Sequence, residues 1–146
     1  MNEIANFKDS LLFEIQKEFW NERGRGARYR MTLVGVPFVK EQMGDKIKDV
    51  KNIKEWLVGK KFAEDIQIEE DEISFGLKVK GCCMKPIKEY FDKENLEPLG
   101  CPLANIFMHS FELNNGLSPE LLPIEKDGEA CKLTMAKIAT SDVVKR

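Results

Sequence analysis

Residues 66–83 read IQIEEDEISFGLKVKGCC, and this stretch decides the fold. Ile66 and Ile68 alternate with polar residues. After Glu70-Asp71, Ile73, Phe75, Leu77 and Val79 alternate with Ser74, Gly76, Lys78 and Lys80. Period-two alternation sets one row of side chains on a core and the other in water, which predicts an antiparallel hairpin. The run closes on Gly81-Cys82-Cys83.

Outward from this hairpin the period changes. Toward the N-terminus, Val50, Ile53, Trp56 and Leu57 predict a helix over 50–60. Residues 3–22 read as an amphipathic helix with Ile4, Phe7, Leu11, Ile15 and Phe19 in one stripe, widened by Leu12 and Trp20. Between these two, Met31, Val34, Phe38 and Val39 fit a helical face that Gly35 and Pro37 interrupt. Toward the C-terminus, helices are expected over 84–95 and 102–114, with Pro86 and Pro102 in their first turns. Asn114-Asn115-Gly116 stops the second of them. A last hairpin is expected from Leu121 to Glu125, a turn at Asp127-Gly128, and Cys131 to Ile138. The tail from Ala139 is expected to fray. Helices, hairpin, two helices, hairpin is the order of an α+β fold, with helices packed on an antiparallel sheet made of two hairpins. No linker divides residues 1–146. They read as a single domain, with an N-terminal helical region over 1–47 and an α+β core over 48–138. The aromatic set Phe7, Phe19, Trp20, Phe38, Trp56, Phe62, Phe75, Phe107 and Phe111 is assigned mostly to that core.

The chain of 146 residues carries 23 basic and 25 acidic side chains, a net charge of −2. That balance gives no footprint for nucleic acid. The local cluster Arg23, Arg25, Arg28 and Arg30 reads as a solvated turn or as an anion or partner contact. No apolar run is long enough to span a membrane, and Met1 to Asp9 lack the regions of a signal peptide. The expected location is cytoplasmic, where thiols stay reduced.

The chemistry-bearing residues are the four cysteines and one histidine. Cys82 and Cys83 end a strand, Cys101 opens a helix, and Cys131 follows a Gly-Glu-Ala turn. Side chains at such boundaries converge from different segments. A zinc site needs four donors at about 2.0–2.3 Å, and Cys82, Cys83, Cys101 and Cys131 are the candidate metal ligands. Neighbouring side chains on a strand point to opposite faces, so one of Cys82 and Cys83 faces the core. The competing reading is that the thiols are small buried hydrophobes. His109 lies eight residues beyond Cys101, about 12 Å along a helix, so the two share no ion while the helix is continuous. Asn105, His109 and Glu112 fall near one helical face, read as solvent-facing or as the polar edge of a cavity.

The Trp56-Leu57…Gly59 helix, a cysteine after the second strand, and Gly128-Glu129-Ala130-Cys131-Lys132-Leu133 entering the last strand together resemble the 4-vinyl reductase domain family over roughly residues 50–138. That family is similar to haem-based nitric-oxide sensors and vesicle-transport particle subunits. The resemblance implies a homodimer that binds a small hydrophobic ligand, with a cysteine-held zinc or iron. Where the family often carries a cysteine four residues before the terminal glycine, this chain has Ile124, and Cys101 is the substitute donor. His109 as a haem ligand belongs to the same comparison.

Two further readings stay open. One is a cysteine-dependent hydrolase resembling aminothiazoline carboxylate hydrolases. Its candidate catalytic residues are Cys101, His109 and Glu112, with the Cys101 thiol expected to be acidified by the helix N-terminus. The other is an assembly subunit without ligand.

Overall fold

The structure, a computed structural model, describes residues 2–24, 31–116 and 119–137. Arg25, Arg28, Arg30, Ile138 and the tail from Ala139 lie outside them. The elements are α1 (Glu3–Arg23), α2 (Val36–Met43), a 3-10 helix (Gly44–Lys48), α3 (Val50–Gly59), β1 (Asp65–Glu70), β2 (Ser74–Lys80), α4 (Lys85–Lys93), α5 (Pro102–Asn115), β3 (Glu120–Leu121), β4 (Glu125–Asp127) and β5 (Ala130–Ala136). This is the expected α+β fold with an antiparallel sheet.

The first hairpin forms as read. Asp71 tightens its turn by accepting from the amides of Ile73 at 2.9 Å and Ser74 at 2.7 Å. β2 then pairs with β5, and the sheet runs β1-β2-β5-β3. In this register Ile66 faces Val79 and Val79 faces Cys131, while Ile68 faces Leu77 and Leu77 faces Leu133. These rows form the inner face, on which the helices pack. Lys78, Lys80 and Lys132 of the other face are exposed.

The last hairpin differs from its expectation. The strand foreseen over Leu121–Glu125 is broken into β3 and β4, each pairing with a different half of β5. Pro123 lies in the gap, and a residue without an N–H cannot continue a ladder.

The region between Met31 and Lys48 resolves its conflicting signals by delaying the helix. Gly35 adopts φ +90° ahead of α2, and Pro37 sits in the first turn, where its missing N–H costs nothing. Val39, Met43 and Ile47 then join the main core with Ile53, Leu57, Phe75, Leu77, Leu103, Phe107, Leu133 and Met135.

α1 is seated by Phe13, which the stripe did not include, and by Trp20, at its edge. Phe13 packs on Tyr90 and Phe91 of α4. Trp20 donates its indole N–H to the Glu97 carbonyl at 2.7 Å, and Lys17 pairs with Glu94 at 2.7 Å. Ile4, Phe7, Leu11, Leu12 and Ile15 are exposed, Ile4 at 66% and Phe7 at 64%. Phe7, and Phe38 on α2, are thus corrections to the aromatic core, which gains Phe13 and Phe91 instead. Helical phase explains the outcome: Phe13, Gln16 and Trp20 lie on the side opposite Ile4, Leu11 and Ile15.

Candidate functional site

A cavity of about 70 Å³ opens between α4, the start of α5 and the inner face of the sheet. Val79, Leu133 and Cys131 supply the sheet wall. Ile87 and Phe91 of α4 and Leu103 of α5 supply the helical walls. Pro98, Gly100 and Ile124 close the sides, and Lys85, Lys88, Glu129 and Gln16 are its polar residues. The lining is predominantly apolar, as in small-molecule pockets where few polar groups orient the ligand. α1 braces one side, because the Gln16 side chain accepts from the Leu99 amide at 3.1 Å.

Three of the four cysteines meet here. Cys82, Cys101 and Cys131 all line the cavity, whereas Cys83 does not. The adjacent pair lies past the end of β2, after the turn at Gly81, where Cys82 packs against the main core and Cys83 is exposed. Cys131 reaches the cavity because it stands opposite Val79 on the inner face. Cys101 immediately precedes α5.

Their protonation follows from these positions. The Cys82 thiol donates to Cys83, which pushes Cys82 well above the ordinary thiol range, with burial and the neighbouring Cys101 adding to the rise. The same hydrogen bond lowers Cys83 to about 7. The Met84 amide donates to the Cys82 sulfur at 3.3 Å. Burial raises Cys101 to about 11, although the amides of Leu103 and Ala104 oppose the rise. The acidified Cys101 expected at this helix start is therefore reversed, because loss of water around the sulfur outweighs the helix end. Burial also raises Cys131.

All four thiols are free. Among the described residues, no group of three or more His, Cys, Asp or Glu side chains is arranged to hold a metal ion. Three cysteines share a cavity wall, but as placed they do not fit the tetrahedral cage that zinc requires.

The polar face of α5 points elsewhere. Asn105 is buried and donates to the carbonyls of Met31 at 2.7 Å and Val34 at 3.0 Å. It is a clamp on the 31–35 segment, neither solvent-facing nor a cavity edge. Both ring nitrogens of His109 are buried without a hydrogen-bond partner among the described residues, so no thiol–imidazole pair is formed. Glu112 is exposed. Neither His109 nor Glu112 lines the cavity. The residues that do, and that sequence reasoning passed over, are Lys85, Lys88, Phe91 and Gln16. For Lys88 and Phe91 the signal was helical phase, because residues three apart share one face of α4.

The chain matches no protein-family model, no curated protein and no solved structure. No helix among the described residues is long and apolar enough to cross a membrane.

Proposed function

We propose that this protein is a binding module for a small apolar molecule, held in the cavity between α4, α5 and the sheet. The observation that carries this reading is the cavity itself. An apolar opening is walled by Val79, Phe91, Leu103 and Leu133, beside the main core. The three thiols contribute soft, weakly polar surface, suited to contact with apolar or polarizable ligands. A hydrolase reading gains less support, because the Cys101 thiol is held protonated and His109 does not face it.

The test is a calorimetric titration with the straight-chain alcohols butanol to octanol. Affinity is expected to rise about fourfold per methylene until the cavity is full. Ile124→Trp, which fills the opening from a partly buried wall position, is expected to abolish binding without unfolding the protein. An absence of saturable binding by every alcohol overturns the reading.

The dimer implied by the resemblance has a candidate surface in the uncovered row of α1. Pairing two α1 helices antiparallel about Leu11 brings Phe7 opposite Ile15 of the second copy. That arrangement covers the apolar row. Sedimentation equilibrium tests it: Leu11→Glu is expected to give a monomer with unchanged unfolding, since Leu11 is exposed in the single chain.

A further inference from the structure

We infer that the ligand of this cavity is a small apolar acid, its carboxylate held at the mouth by Lys88 and Lys85. This rests on the binding reading above and adds the chemical class of what binds. The two lysines lie three residues apart on α4, beside the inward-facing Ile87 and Phe91, and both line the cavity.

The ion pairing of Lys88 is weak and shared. The Lys88 side chain is only 17% exposed, yet its ion-pair partner Asp92 is 3.5 Å away. The other oxygen of Asp92 is taken by Lys126 at 2.8 Å. One carboxylate is thus shared between two ammonium groups. Lys85 has no ion pair among the described residues, and Glu129 is the one acidic residue in the lining. Lys88 and Lys126 thus draw on the same carboxylate, and Glu89 adds a second negative charge near Lys126 rather than near Lys88.

A half-buried cation with a long, shared partner attracts an anion more strongly than an ammonium in open water does. The apolar walls select among anions. A hydrated inorganic ion would lose water and gain no apolar contact, whereas a short acyl or single-ring acid gains both.

The experiment compares hexanoate, hexanol and hexylamine by calorimetry on the full chain at pH 7.5 and low salt. Hexanoate is expected to bind at least tenfold more tightly than hexanol, with hexylamine weakest and the hexanoate advantage shrinking as salt rises. Lys85→Met with Lys88→Met keeps the apolar stems and is expected to bring hexanoate within threefold of hexanol, with hexanol unchanged. If that variant does not fold, the salt series on the unaltered protein decides. Equal binding of hexanoate and hexanol overturns the acid inference and leaves the apolar site standing. Binding of none of the three overturns both.

Discussion

The side-chain amide of Asn105 donates to the Met31 carbonyl at 2.7 Å, joining the first turn of α5 to a segment 74 residues earlier. A second bond to the Val34 carbonyl at 3.0 Å makes Asn105 the fixture that holds the turn before α2 against the core. Asn105→Leu leaves two carbonyls without this donor and is expected to destabilise the fold by about 2–3 kcal/mol, measured by urea unfolding. A loss below about 0.5 kcal/mol would mean that water replaces the amide freely.

The same turn predicts the cost of a single methyl group. Gly35 has φ +90°, and a Cβ there would stand 2.9 Å from the Cβ of Pro102. Gly35→Ala combines a left-handed backbone strain with a clash against the start of α5. It is expected to lower stability by about 2–3 kcal/mol in the same unfolding assay. An unchanged unfolding midpoint would show that the turn relaxes.

Cys101 gives a stability that depends on alkaline pH. Burial raises its folded-state pKa to about 11, above the unfolded thiol, so the folded state favours the protonated form. The associated stability is complete below the unfolded pKa near 9 and is lost as pH rises through about 11. Between those values Cys101 is expected to contribute a loss of about 2–3 kcal/mol. Urea unfolding at stepped pH checks this, with Cys101→Ala as the reference: its curve is expected to be flatter over that window. Parallel curves would place the thiol in water.

Cys83 is expected to be the most reactive thiol. The hydrogen bond from Cys82 lowers its pKa, which raises its thiolate fraction near neutral pH, and Cys83 is also exposed. Peptide mapping after brief iodoacetamide treatment is expected to find Cys83 modified well before Cys101 and Cys131. Cys82→Ala removes the donated hydrogen bond and is expected to slow Cys83 alkylation at pH 7.5 several-fold. Equal labelling of Cys83 and Cys101 would contradict the burial that separates them.

Much of the fold was legible because local signals agreed. Alternation over Ile66–Val79 marked the hairpin, and the prolines and glycines around Pro86, Pro102 and Gly116 marked the helix limits. Legibility failed where one residue served two neighbours. The stripe Ile4, Phe7, Leu11 and Ile15 is a genuine amphipathic signal, yet α1 docks through Phe13 and Trp20, because the partner surface is the aromatic side of α4. Periodicity records that a helix has an apolar face, not which face another element covers. Asn105 likewise reads as a solvent-facing polar residue until the 31–35 segment folds over it.

For the candidate site, sequence alone determined that the four cysteines stand at or near element boundaries and that one of the adjacent pair is set toward the core. Element limits follow from backbone geometry within a few residues. Only the tertiary structure decided which side chains meet. The pairing of β2 with β5 sets Cys131 beside Val79, and α4 lays Lys88 along the same opening. It also decided that Cys101 is held protonated and that His109 stands apart from the cavity. Those outcomes depend on the water removed when distant segments pack, which no short stretch of sequence encodes.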